Sequence, residues 1–147
     1  ALIETPKLVI ADEPTPGLDP KLARRAMEHF RQLADMGAAV LVITHDLELA
    51  LETVDRIQVF YAGYTIEDAR TADFEREETL RHPYTRALWR AMPKNGFHYI
   101  DGVQPYARDM KQGCPFAPRC EKCVDKCYGE VLWHLSGNGY VRCIYDS

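Results

Sequence analysis

The sequence has no apolar run near the ~20 residues that a membrane-spanning helix needs. It has no stretch combining a basic start, an apolar middle and a small-residue cleavage site, so a secreted form is not indicated. It has no basic surplus. Lys and Arg number 18 against 22 Asp and Glu, for a net charge of −4, which excludes the basic footprint of a nucleic-acid binder. There is no internal repeat and no low-complexity tract. Residues 1–113 contain no cysteine, and all five cysteines fall within 114–143. What is present is ordinary for a soluble globular chain: 46% hydrophobic and 27% charged residues in 147. That length fits one domain, or one and a half small ones, and the composition excludes a disordered, collagen-like or coiled-coil chain.

Lys7-Leu8-Val9-Ile10-Ala11 is a short continuous apolar run that ends in Asp12 and Glu13, the pattern of a strand buried on both faces. Pro14, Pro16 and Gly17 then break the chain. Residues 20–36 carry Leu22, Ala23, Ala26, Met27, Phe30, Leu33 and Ala34 at helical spacing, with Asp19 as N-cap, Pro20 in the first turn and Gly37 at the end. Ala38 to Ile43 is a second apolar run, closed by Thr44-His45-Asp46. Leu47 to Leu51 reads as helical, Asp55 to Tyr61 as a third strand, and Gly63 turns into a fourth over Tyr64 to Glu67. This order predicts an α/β domain with a parallel sheet. Asp12-Glu13 and Thr44-His45 then sit at the C-terminal ends of parallel strands, where open α/β sheets bind ligands. Residues 71–82 are charge-rich, Pro83 to Met92 is a short helix with Ala87, Leu88 and Met92 on one side, and 93–119 is mostly loop.

Leu8-Val9-Ile10-Ala11-Asp12-Glu13-Pro14-Thr15, followed by Gly17-Leu18-Asp19 and by Ile43-Thr44-His45-Asp46, resembles the ATPase subunit of ABC transporters. The match is to the Walker B strand with its glutamate, the D-loop and the switch histidine. The resemblance implies that Asp12 binds Mg²⁺ against the nucleotide phosphates, that Glu13 polarises the attacking water, and that His45 contacts the γ-phosphate. It places Asp19 at the interface of two ATPase subunits. Pro16 and Pro20 bracket Gly-Leu-Asp and stiffen that loop. The phosphate-cradling GxxxxGK[ST] loop, the LSGG-type signature and the glutamine loop of the family are not in this sequence. In the family they precede the Walker B strand, and residues 1–5 look like the tail of the helix after the signature. The resemblance therefore implies the C-terminal part of an ATPase core, with strand edges and an apolar face lacking partners. Such a chain by itself is expected to bind ATP poorly and not to hydrolyse it.

The cysteine spacings, five, two, three and fifteen intervening residues, fit several chemistries. Disulfides would be rare in a reducing compartment and the odd count argues against full pairing. Cys120-x2-Cys123 is a common zinc half-site, iron–sulfur clusters also take four thiolates, and buried structural thiols are the remaining alternative. Gly113-Cys114-Pro115-Phe116-Ala117-Pro118-Arg119-Cys120, Cys127 and Val141-Arg142-Cys143 resemble the C-terminal extension of the oligopeptide, dipeptide and nickel branch of ABC importers. His82-Pro83-Tyr84-Thr85-Arg86-Ala87-Leu88 matches its start, and Ile100-x-Gly102-x-x-Pro105 its middle. That branch implies a 4Fe–4S cluster on Cys114, Cys120, Cys127 and Cys143, structural or sensory in role, clamping loops 93–119 and 128–143. Zinc is the alternative, and Cys123 is an extra thiol that could substitute for one ligand.

The expectation is thus an α/β chain in two parts. Residues 1–70 are a partial P-loop NTPase core of the ABC ATPase type, and 71–147 a loop-rich extension with the cysteines. The implied function is the ATP-binding and hydrolysing subunit of a peptide or nickel importer, peripheral on the cytoplasmic face of the membrane. It would work with a second ATPase subunit, membrane permeases and a separate substrate-binding protein, and without nucleic acid. The rival readings are a non-catalytic metal-binding or interaction fragment of such an ATPase, and a soluble ABC ATPase that does not transport.

Overall fold

The structure, a computed structural model, describes residues 6–106, 108 and 112–145. The stretch 1–5, read above as a helix tail, lies outside the described residues. Two compact units are present, residues 1–54 and 55–147.

In the first unit, β1 (Leu8–Asp12) and β2 (Ala39–Ile43) pair in parallel, with Leu8 opposite Ala39 and Asp12 opposite Ile43. The crossover between them is α1 (Pro20–Asp35). Asp19 starts this helix: its Oδ1 accepts from the N–H groups of Lys21 (3.0 Å) and Leu22 (3.1 Å), which would otherwise be orphaned at the first turn. Gly37, at φ 98°, takes the left-handed position after the last turn that a side chain resists. The short helix α2 (Leu47–Leu51) follows β2, capped by Asp46, whose Oδ1 accepts from the Leu49 N–H at 3.0 Å. Ala23, Met27 and Leu49 form a small core that Phe30, Val42 and Val54 complete. The strands alternate between half-buried and exposed positions. Leu8, Ile10, Leu41 and Ile43 are 48–61% exposed, so β1 is not buried on both faces as its apolar run suggests. The helices pack on one face, and within this unit no element among the described residues covers the other.

The second unit is built on an antiparallel sheet. Its strands are β3 (Arg56–Tyr61), β4 (Tyr64–Arg70), β5 (His134–Ser136) and β6 (Gly139–Val141), in the order β3-β4-β6-β5. The third strand thus joins no parallel sheet. Ala62 and Gly63 both have positive φ, 46° and 85°, which makes a tight turn and folds β4 straight back on β3. The hairpin β5–β6 lies within a stretch read from the sequence as loop. Gly139 is needed there: a Cβ would collide with the Asp68 carbonyl of β4. The helix α3 (Pro83–Ala91) starts at His82, with Pro83 at its first position. Ile66, Ala69, Leu80 and Val141 are completely buried, with Val59, Phe74, Met92 and Phe116 nearly so. No helix among the described residues is long and apolar enough to cross a membrane.

Candidate functional site

Two groups of chemistry-bearing side chains emerge, one in each unit. The first is set by the parallel pairing of β1 and β2. Because Asp12 faces Ile43 in register, the residues just beyond each strand come together. The Glu13 N–H extends the ladder by donating to the Ile43 carbonyl (2.8 Å). Glu13 sits at φ 45°, a region that a residue with a Cβ adopts only at a cost, and such positions cluster at functional sites. Its carboxylate Oε1 lies 2.9 Å from His45 Nδ1. The hydrogen bond that His45 donates to Glu13, and then the charge of Glu13, raise the His45 pKa above the usual histidine value. The two predicted residues meet, although 31 residues separate them in sequence.

The surroundings of this pair are local and polar. Thr44 Oγ1 accepts from the Asp46 N–H (3.0 Å), which shapes the turn that carries His45. His45 borders an open cleft of about 330 Å³ with Thr15, Gly17, Asp46 and Glu52. Asp12 is exposed at the strand end, where a carboxylate can take a hydrated cation. Asp19 is engaged as the α1 cap.

The second group is the thiols. All five cysteines are present as thiols, not as disulfides. Cys114, Cys127 and Cys143 are buried, and Cys120 and Cys123 are half-buried. The Cys114 N–H donates to the Cys127 carbonyl (2.8 Å), which ties two loops together. Gly113, at φ 93°, permits that approach, since a Cβ would strike the same carbonyl. Single helical turns at Ala117–Arg119 and Asp125–Tyr128 present Cys120 and Cys127. Cys143 follows β6, where the Arg142 N–H donates to the Ile66 carbonyl (2.9 Å). The Cys114 thiol is pushed up to about 11, chiefly by burial, which a backbone hydrogen bond at Phe116 partly offsets, and with smaller contributions from the charge of Cys143, Cys120 and Cys127. Cys120 is raised likewise, by burial first and then by Cys127, Cys143 and Cys123. The four predicted cysteines therefore lie within electrostatic reach of one another.

They do not form a ready ion site. Among the described residues no three His, Cys, Asp or Glu side chains are placed to hold a metal ion. The tetrahedral zinc site that Cys120-x2-Cys123 suggests is accordingly not assembled. The Cys123 thiol donates to the Val124 carbonyl (3.8 Å), and its proximity raises the Tyr128 hydroxyl pKa.

Several residues of the second site escape a reading of spacing. His82 is buried, its Nε2 lies 3.5 Å from Cys114 Sγ, and burial lowers its pKa to about 4. Glu67 is wholly buried in β4 and accepts the N–H groups of Arg81 (3.0 Å) and His82 (2.8 Å). Arg119 donates to the carbonyls of Ile100 (2.7 Å) and Asp101 (2.6 Å) and to the Tyr61 hydroxyl (2.9 Å). Tyr61, Tyr84 and Phe116 pack as an aromatic trio with ring centroids 4.5–5.5 Å apart. The His82-Pro83 pair does signal a helix start with a side-chain cap, but its contact with Cys114 spans 32 residues and has no local signature.

Comparison with known proteins places these residues in a family context. Residues 66–127 match the family described as the oligopeptide/dipeptide transporter C-terminal region. The oligopeptide transport ATP-binding protein AppD of Bacillus subtilis is 38% identical over 152 aligned residues, covering 97% of this chain and 45% of that protein. The dipeptide transport ATP-binding protein DppD of Haemophilus influenzae is 38% identical over 145 aligned residues, covering 94% of this chain and 43% of that protein. The chain thus spans less than half the length of these relatives.

Proposed function

The chain carries the C-terminal region of the oligopeptide/dipeptide transporter family and is related along nearly its whole length to peptide-transport ATP-binding proteins; on that footing we propose that it serves in an ABC importer subunit that couples ATP hydrolysis to uptake of peptides, or of nickel. The observation that carries this reading is the 2.9 Å hydrogen bond between Glu13 and His45. It brings together two residues of the predicted constellation at the ends of parallel strands. Asp12 would hold Mg²⁺ against the phosphates. Glu13 would accept a proton from water as the water oxygen bonds to the γ-phosphorus and the bond to the ADP oxygen breaks. His45 would hydrogen-bond the γ-phosphate. The Asp19 loop would face a second ATPase subunit. Permeases and a separate binding protein would handle the substrate, with this chain peripheral on the cytoplasmic side.

In this reading residues 1–70 are one part of the ATPase core and 71–147 are the extension. The open face of Leu8, Ile10, Leu41 and Ile43 supports a core that continues beyond these residues. With no GxxxxGK[ST] loop in the sequence, the chain alone lacks the cradle for the β- and γ-phosphates. Isothermal titration of the 147-residue chain with Mg-ATP tests this. Weak binding without turnover is expected; micromolar binding with turnover would overturn it.

For the thiols we propose a 4Fe–4S cluster on Cys114, Cys120, Cys127 and Cys143. The donor set fits it: four cysteines gather from separate loops, three of them buried. A cluster spreads its four thiolates over four irons, so the sulfurs need not close on one point as they must around a single zinc ion. When bound, the group would crosslink the loops and supply a reducible centre. Anaerobic reconstitution with iron and sulfide should give a brown chromophore absorbing near ~400 nm; a colourless, zinc-loaded product would refute the assignment.

A further inference from the structure

The His-Pro-Tyr turn links the sheet to the thiols through a chain of hydrogen bonds. It starts at Glu67 of β4, whose Oε2 accepts the His82 backbone N–H at 2.8 Å. The His82 ring then caps α3: Nδ1 accepts the Tyr84 N–H at 3.0 Å. A ring nitrogen that accepts carries no proton, so the imidazole is neutral with its hydrogen on Nε2. Nε2 lies 3.5 Å from Cys114 Sγ, within hydrogen-bond distance for sulfur. Phe116 flanks the ring, with centroids 6.1 Å apart, and the histidine is 1% exposed, so water does not compete for that proton.

We infer that His82 is a positioning residue for the thiol cluster: its capping bond fixes the tautomer, and the fixed tautomer donates an N–H to the sulfur of Cys114. The cap and the thiol bond are thus one device. The ring cannot turn over to offer Nδ1 to the sulfur without releasing the Tyr84 N–H and the start of α3. Cys114 is thus held at its side chain by His82 and at its backbone N–H by the Cys127 carbonyl. In its effect on a bound cluster the inference rests on the iron–sulfur reading above. Hydrogen bonds to cluster sulfurs withdraw electron density and raise the reduction potential.

The hydrogen bond itself is testable without a cluster. Long-range proton–nitrogen NMR of the ¹⁵N-labelled chain should show His82 as the Nε2–H tautomer, and Cys114→Ala should move that proton's resonance. An Nδ1–H tautomer, or a resonance indifferent to Cys114→Ala, overturns the inference. His82→Asn separates the two halves of the device. Asparagine is a good N-cap and its Oδ1 can still accept from Tyr84, but its amide is too short to reach Cys114. With far-UV circular dichroism unchanged, the reconstituted His82→Asn protein should show a more negative reduction potential than the unaltered chain. An equal potential would refute the tuning role. Failure of the unaltered chain to assemble any cluster would refute the iron–sulfur reading, and the NMR result would still decide the hydrogen bond.

Discussion

Residues 6–54 and 55–145 differ in how far they bury the apolar side chains of their sheets. In the first unit a two-stranded parallel sheet packs its helices on one face and leaves Leu8, Ile10, Leu41 and Ile43 about half exposed on the other. In the second, a four-stranded antiparallel sheet buries Ile66, Ala69, Leu80 and Val141 completely and even encloses Glu67, with both carboxylate oxygens engaged. Covering the open face of the first unit would add on the order of 1 kcal/mol for each of its four side chains. The second unit encloses a core of its own, although Phe60, Leu132 and Leu135 at its surface are 62–66% exposed; the first leaves one face of its sheet open. Chemistry follows the same division. The Glu13–His45 pair stands at an exposed rim, where a ligand can reach it, whereas three of the five thiols, Cys114, Cys127 and Cys143, are buried.

The sharpest way to break this comparison is Glu13→Gln in the ATPase subunit proposed above. Loss of the proposed general base should cut ATP turnover by ~10²–10⁴-fold with nucleotide binding retained. Unchanged turnover would move the chemistry away from the exposed rim. Next in size is Ile66→Ala, which empties a wholly buried site and should cost ~2–5 kcal/mol. Both tryptophans, Trp89 and Trp133, lie in the second unit, so their fluorescence during urea unfolding reads that unit alone. Removing the α1 cap with Asp19→Ala should cost ~1 kcal/mol in the first unit. It should shift the circular dichroism transition and leave the tryptophan transition in place; coincident shifts would mean the units unfold as one. The smallest effect is expected at Ile10→Lys, within ~0.5 kcal/mol of the unaltered chain. A larger loss, read by the same denaturation, would show that the open face is packed after all.

Much of the first unit was legible in the sequence because its signals are local. The apolar periodicity of α1, its Asp19 cap and the terminal Gly37 need no partner to be recognised. The Glu13–His45 contact follows once β1 and β2 are taken as parallel neighbours. The half-covered state of β1 was less legible, because a continuous apolar run reports what a strand would bury, not what covers it. In the second unit, β5 and β6 are three residues each, too short for alternation to register. Gly137-Asn138 between them is a hairpin signal that could have revealed the pair. The His82–Cys114 contact was not legible at all, since it depends on how a helix start and a loop are brought together by β4. The third strand was expected in the parallel sheet because it follows a helix, yet the tight turn at Ala62-Gly63 gives it a nearer partner.

The pairing of β4 with β6, Glu67 opposite Val141, also sets an order of events during synthesis. Strands that meet across so long a stretch of chain close slowly, because the loop between them must first be gathered. The central sheet of the second unit cannot be completed until residue 141 has left the ribosome. Cys114, Cys120, Cys123 and Cys127 all emerge before that moment. Each nascent chain therefore passes through an interval in which four thiols are translated but not yet enclosed. That interval leaves the thiols open to oxidation, and it ends when the last hairpin docks.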